Sequence, residues 1–401
     1  MKKKSLLIFI IFLFFYIKLI INFYFNKTKI LGQDKMFVLS DGDEWTNYPI
    51  VYFKYEDDID KQEIYKKIKK SLKADPKHMF KNKLLNKNRI VKIDENYDSL
   101  IKNTVILTDK NFDEFSEKEI INLAMRNDNK MIIILNNTGY LTCFSHLFLD
   151  GIRFHKINKY VADFYEEVKL PKFYYIPIYN ELIILRSLYN YLNNPMTRNL
   201  KYQDISKDLH FTFCLKKFKE QKNIFNSNFT VFLSMIIAYL IFESSNKKKI
   251  ICGMIVAFSN TTRFNNFSIL PISICINEKY SNFSYNDKIK YLLKQSENQI
   301  KKNKYYISSI YTITNVYGNQ FLNNYNNIDY LISGFPVNKK FDYSINNSKC
   351  ESIKTIFRTT TMPLYLFHLS TKDKINLSFN FKTNDIDIIK FEEEINKILQ
   401  E

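Results

Sequence analysis

From about residue 48 to the end of the chain, short stretches in which apolar and polar residues alternate are separated by longer ones with apolar residues three and four apart. Residues 50–55 read as a strand. In the helix that follows, Asp60 and Glu63 have capping-box spacing, and Ile64, Ile68 and Leu72 share one face; Pro76 ends it. Residues 105–107 form a short strand, and Ser116 and Glu119 open a helix as far as Met125. Residues 131–135, the turn Asn136-Asn137-Thr138-Gly139 and residues 140–144 make a hairpin. A further helix begins near Gly151 with Ile152, Ile157, Val161 and Phe164, and Pro171, Pro177 and Pro195 punctuate a looser region ending near Asn199.

The second half repeats this alternation. Residues 210–215 are strand-like, and Thr230 caps a helix to Phe242 that is apolar nearly all round and therefore a buried central element. Residues 250–258 and 269–276 read as strands on either side of a polar turn at Arg263, and a charged helix covers 286–302. Residues 364–369 and 375–381 form a hairpin across 370–374, and a last helix starts after Asp385. The expectation is a mixed α/β protein of two lobes, 45–199 and 203–401.

The N-terminus differs from this pattern. Lys2, Lys3 and Lys4 precede an apolar run over 6–16, which resumes over 19–25 after Lys18. Its length suits a bilayer core, and the Lys18 stem can snorkel. A cleavable signal peptide has the same basic start, but Asn26, Lys27 and Thr28 offer no small-x-small cleavage site. Residues 1–28 are therefore expected to be an uncleaved single-pass membrane anchor. Its orientation stays open, because Lys27 and Lys29 balance the lysines at the front.

Composition narrows the functional classes. With 401 residues, 46% of them apolar, the chain can bury a large core. The net charge of +18 comes from lysines spread along the whole chain, without a helix–turn–helix signal, zinc spacing or dense arginine patch. Dedicated nucleic-acid binding is not indicated, although the basic surface favours anionic partners such as a cofactor phosphate or an acidic lipid headgroup. Cys143, Cys214, Cys252, Cys275 and Cys350 are isolated, which argues against both a disulfide framework and a zinc site. Asn-x-Ser/Thr triplets at Asn228, Asn282 and Asn376 follow from the Asn-rich composition.

One constellation carries chemistry. In His146-Leu147-Phe148-Leu149-Asp150-Gly151, a histidine follows a strand, an aspartate stands four residues on, and a glycine leads into the next helix. A histidine at a strand end can present a ring nitrogen to a substrate hydroxyl, amine or thiol. The aspartate can fix the turn by pairing with a cation, and Gly151 permits a sharp bend. The plainer alternative for His146 is a buried histidine satisfied by a backbone carbonyl. His78, His155, His210 and His368 have no comparable neighbours.

The segment resembles the His-His-x-x-x-Asp-Gly motif of the chloramphenicol acetyltransferase-like superfamily, with Ser145 in place of the first histidine. That superfamily includes nonribosomal peptide condensation domains, wax ester synthase-type acyltransferases and BAHD acyltransferases. Thr230-Val231-Phe232-Leu233 is similar to the superfamily's Thr-x-Asn-Asp helix start. The strand over 250–258, Arg263, Asn266-Phe267 and Leu270-Pro271-Ile272 resemble its strand–Arg–Gly-Asn-Phe stretch, with Asn265 where glycine is usual. Tyr330-Leu331-Ile332-Ser333-Gly334-Phe335-Pro336 resembles its Ser-Asn-x-Pro segment. The BAHD Asp-Phe-Gly-Trp-Gly signature is absent, and the sole tryptophan is Trp45.

The resemblance implies two α/β sandwich lobes forming a V with a central channel, preceded here by the transmembrane helix. It implies transfer of an acyl group from an acyl-CoA or acyl-carrier-protein thioester to a hydroxyl or amine, with no metal and no permanently bound cofactor. His146 becomes the general base and Asp150 the structural partner of Arg263. Ser333 and Asn266 become oxyanion donors beside backbone N–H groups. Two other classes stay open: a membrane-anchored binding protein that keeps the fold without turnover, and an anchored interaction protein outside the superfamily. An ordinary surface arginine at 263 and ordinary loop residues at 333 and 266 are the corresponding plain readings.

Overall fold

The computed structural model describes residues 48–74, 79–85, 89–93, 96–146, 157, 159–163, 198–257, 267–317, 328–334, 343–358 and 362–400, with positions 13, 14 and 17 near the start. The first half runs β1 (Ile50–Tyr55), α1 (Lys61–Ala74), β2 (Asn82–Leu85), β3 (Arg89–Lys92), α2 (Tyr97–Thr104), β4 (Val105–Leu107), α3 (Glu117–Arg126), β5 (Met131–Asn136) and β6 (Gly139–Phe144). The second half runs β7 (Lys207–Cys214), α4 (Leu215–Ile224), α5 (Phe229–Glu243), β8 (Lys249–Ala257), β9 (Phe267–Cys275), α6 (Tyr285–Tyr317), β10 (Tyr330–Gly334), β11 (Cys350–Ile356), β12 (Leu364–Ser370), β13 (Lys374–Phe381) and α7 (Ile388–Gln400).

Local chemistry sets many of these boundaries. The Asp60 carboxylate accepts from the Gln62 and Glu63 N–H groups at 2.8 and 3.1 Å, and the Ser116 hydroxyl accepts from the Glu119 N–H at 3.2 Å. The cap of α5 is Asn228, whose side chain accepts from the Thr230 N–H at 3.0 Å. This corrects the assignment of the cap to Thr230. Further elements differ from the sequence reading. The β2–β3 hairpin, α2, β10 and β11 were not foreseen, α4 starts where a strand was expected to end, and α6 spans 33 residues where a shorter helix was expected.

Two large sheets result. The first has order β11-β1-β6-β5-β4 and the second β7-β13-β12-β10-β8-β9. Every residue of β5 and β6 is buried, because both faces of the first sheet are covered. Ile64, Ile68 and Leu72 of α1 pack on one face, and Ile120, Ile121 and Ala124 of α3 on the other. On the second sheet, α5 lies in the core between one sheet face and helices α6 and α7.

The strands do not divide between the sheets at 199–203. β11 comes from the second half of the chain, yet pairs antiparallel with β1 and forms the edge of the first sheet. This crossing adds residues 350–356 to a sheet otherwise built from residues 50–144. Its physical reason is visible at the seam. β13 turns Ile375, Leu377, Phe379 and Phe381 into the core, and its alternate polar residues Asn376, Ser378 and Asn380 are buried on the other face. Those polar groups meet the outer edge of β11. The Lys374 ammonium donates to the Glu351 carbonyl at 3.1 Å, and the Ile353 N–H donates to Asn376 Oδ1 at 3.1 Å. The Thr355 N–H donates to Ser378 Oγ at 3.0 Å. Side chains of the second sheet thus complete the hydrogen bonding that an edge strand leaves open.

Among the described residues, no single helix is long and apolar enough to cross a membrane; α4 and α5 pass the test only together, bent by 88°. The proposed anchor over 1–28 lies almost wholly outside the described residues, as does most of the helix expected from Gly151.

Candidate functional site

Strand β6 delivers His146. Beyond the last ladder pair, Met131↔Phe144, the buried Ser145 donates its N–H to the Lys130 carbonyl at 2.8 Å. That bond carries the strand direction one residue further, so His146 leaves from the end of the sheet. Its ring is half-buried, with Nδ1 shielded from solvent.

Phe357 arrives at the same place from the opposite side of β1. Ile50 pairs with Cys143 of β6 and with Ile356 of β11, both antiparallel. β6 and β11 therefore run in the same direction and finish together, and the residues just past their ends project from one end of the sheet. There the His146 and Phe357 rings meet edge to face, with centroids 6.0 Å apart and planes at 79°.

Phe357 also reaches the second sheet. It lies flat on Tyr365 of β12, at 4.6 Å and 18°. Tyr365 is buried in an apolar cluster with Ile251, Ile269, Leu331 and Met362. β10 and β12 are parallel neighbours with Leu331↔Tyr365 and Ser333↔Phe367 in register, so Ser333 and Tyr365 share one face and stand one diagonal apart. Burial pushes the Tyr365 phenol well above its usual range, and the nearby Ser333 pulls it back only in part. Two aromatic rings thus stand between His146 and the strand that carries Ser333, which come from opposite halves of the chain.

The next residue holds this junction. Arg358 grips both Glu117 oxygens of α3, at 3.1 and 2.7 Å, and also donates to Asp208 of β7 at 2.9 Å and Ser206 at 2.7 Å. Burial works against the guanidinium charge, but Asp208 and Glu117 outweigh it and raise its pKa. Beneath β10, the buried Asp329 accepts from the N–H groups of Asn199, Leu200 and Ile251 at 2.6, 2.6 and 2.7 Å. Burial nevertheless raises the pKa of Asp329, with those donors opposing.

Gly334 follows Ser333 because nothing larger fits. A Cβ there would overlap the ring and carbonyl oxygen of His368. His368 itself is buried in the helix-covered core against Phe229, and burial lowers its pKa to about 4. His210, which the sequence reading left without neighbours, faces the seam with Nδ1 3.0 Å from Ser378 Oγ. Burial first, and Lys354 next, lower its pKa to about 4.

Of the residues nominated from sequence, His146 and Ser333 lie among the described residues, with the Phe357 and Tyr365 rings between them. Asp150, Gly151, Arg263 and Asn266 lie outside the described residues. Phe357, Tyr365, Arg358 and Asp329 were not nominated. Only Asp329 carried a signal, a lone carboxylate inside the apolar stretch Ile328-Asp329-Tyr330-Leu331. Among the described residues, no group of three or more His, Cys, Asp or Glu is placed to hold a metal ion.

No protein-family model matches the sequence, and comparison with curated proteins returns no match. Solved structures do match. Trichothecene 15-O-acetyltransferase TRI3 from Fusarium sporotrichioides has a TM-score of 0.61 at 11% identity, covering 93% of this chain and 93% of that one. The wax ester synthase/diacylglycerol acyltransferase from Marinobacter aquaeolei VT8 has a TM-score of 0.57 at 10% identity, covering 93% and 98%. The starter condensation domain of rhizomide synthetase RzmA, solved in complex with C8-CoA and Leu-SNAC, has a TM-score of 0.59 at 10% identity, covering 94% and 93%. The chain has the chloramphenicol acetyltransferase-like fold that these proteins share.

Proposed function

We propose that this protein is an acyltransferase that moves an acyl group from a thioester, acyl-CoA or acyl-carrier protein, to a hydroxyl or amine acceptor. The observation that carries this reading is the position of His146: half-buried, at the end of a central strand, where the two sheets meet through Phe357 and Tyr365. Structures that share the fold across nearly the whole chain include acyltransferases and a condensation domain holding C8-CoA.

In the proposed reaction His146 accepts the proton of the acceptor O–H or N–H as that atom bonds to the thioester carbonyl carbon. The carbonyl electrons move to oxygen, and Ser333, with Asn266 and backbone N–H groups, steadies the oxyanion. The C–S bond then breaks and the thiolate leaves with the proton from His146, so that an ester or amide and a free thiol result. Asp150 holds the turn after His146 by pairing with Arg263, and Gly151 lets the chain bend there. The acyl donor is a co-substrate, and no bound cofactor takes part. Residues 1–28 anchor the protein in a membrane.

The test is thiol release from acetyl- to octanoyl-CoA, with butanol or butylamine as acceptor. His146→Ala is expected to slow transfer by roughly 10²- to 10⁴-fold while the protein stays folded. Equal rates in parent and variant would remove His146 from the reaction, and binding without turnover by the parent would favour a non-catalytic protein.

A further inference from the structure

His146 and Ser333 sit on different sheets, and each belongs to a segment that ends at the site. Two such groups work together only if something fixes them to within a fraction of an ångström, because a small misplacement of a reacting group costs a large factor in rate. Two aromatic rings bridge the sheets between them. Phe357 touches the His146 ring edge to face on one side and stacks on Tyr365 on the other. Tyr365 and Ser333 are diagonal neighbours on one face of the paired strands β10 and β12.

Both aromatic residues are themselves held. Tyr365 is 5% exposed and walled in by Ile251, Leu331 and Met362. Phe357 lies between β11, whose edge N–H groups are tied to Asn376 and Ser378, and Arg358, tied to Glu117, Asp208 and Ser206. The backbone on either side of Phe357 is therefore fixed to both sheets at once. Nothing in simple core packing requires this, since a leucine would bury a comparable apolar area without an edge-to-face contact.

We infer that the stacked pair Phe357–Tyr365 is the positioning element of the site: Phe357 sets the plane of the His146 ring, and Tyr365 sets the direction of the Ser333 hydroxyl. Neither residue touches the reacting atoms. The inference rests on the acyl-transfer reading for its kinetic consequence, but the orientation of His146 is measurable without turnover.

The experiment uses the full-length protein in detergent, with octanoyl-CoA and butanol as probes. Phe357→Leu is expected to lower kcat roughly 10- to 100-fold with KM within about twofold. It should also shift or broaden the His146 ring signals in a ¹H–¹³C spectrum, assigned by their loss in His146→Gln. Phe357→Tyr, which keeps the stack, should restore both. Tyr365→Phe should lower kcat in the parent but add no further loss when Ser333 is already alanine. Unchanged His146 signals and kcat in Phe357→Leu would overturn the role of Phe357. Losses from Tyr365→Phe and Ser333→Ala that multiply would overturn the role of Tyr365. If Phe357→Leu fails to fold, the Tyr365–Ser333 cycle, which removes single oxygens, decides for the pair. A parent protein no faster than His146→Ala would sink the acyl-transfer reading, and the His146 spectrum would still decide whether Phe357 orients the ring.

Discussion

A half-buried imidazole inside a seam of polar side chains makes the fold sensitive to acid. His210 faces Ser378 and lies among Lys354, Arg358 and Asp208, and burial with Lys354 lowers its pKa to about 4 from an ordinary 6.5. In the unfolded chain it takes up a proton near pH 6.5, whereas the folded protein resists until about 4. Between those values the unfolded state binds more protons, so stability falls as pH falls. The effect is complete above the unfolded value and is lost on acidification through the window, by up to about 1.4 kcal/mol per pH unit for one histidine. His368 is lowered to the same value by burial alone and adds to the slope. Urea unfolding at pH 7 and pH 5 is expected to show a shallower dependence in His210→Gln than in the parent; equal slopes would mean that His210 titrates alike in both states. Residue identity alone did not reveal this, because the charges around His210 come from β7, β11 and the segment after it.

The alternation of β13 is a case in which an element was read correctly and its surroundings were not. Ile375-Asn376-Leu377-Ser378-Phe379-Asn380-Phe381 reads as a hairpin strand with one apolar face, and the strand is there, starting one residue earlier at Lys374. Its polar face is buried: Asn376 and Ser378 accept from N–H groups of β11 across the seam, and Asn380 donates to Asp208 of the neighbouring β7. Asn376→Ala leaves the Ile353 N–H and the Thr212 hydroxyl without their acceptor. The expected cost is about 1–3 kcal/mol, with faster hydrogen exchange at Ile353 than at the amides of β12. Unchanged protection at Ile353 would show that the edge of β11 does not depend on this contact. Periodicity also placed β1, α1, α3, β5, β6 and β12, each a run whose burial follows from its own neighbours in sequence. It missed β10 and β11, which acquire their burial from strands far away in the chain. His146 was legible for the same local reason, a strand end followed by a turn. Phe357 and Tyr365 matter only through each other, and no spacing in the chain relates them to His146.

At the scale of the whole molecule, the two sheets are fastened by side chains on both flanks of the site, the β13 ladder and the Arg358 network. Residues 1–28 are the proposed membrane anchor. Full-length protein is expected in the membrane fraction, and a chain lacking 1–28 is expected to be soluble and to melt in one cooperative step. Soluble full-length protein would count against the anchor. The crossing of β11 has a further consequence, for synthesis. β1 leaves the ribosome early, but its partner, with Ile50 opposite Ile356, emerges roughly 300 residues later. At about 5–20 residues per second, that is a wait of roughly 15–60 s. During that interval one edge of β1 is an open template, and the nascent first half is a natural client for a chaperone until the seam closes over it.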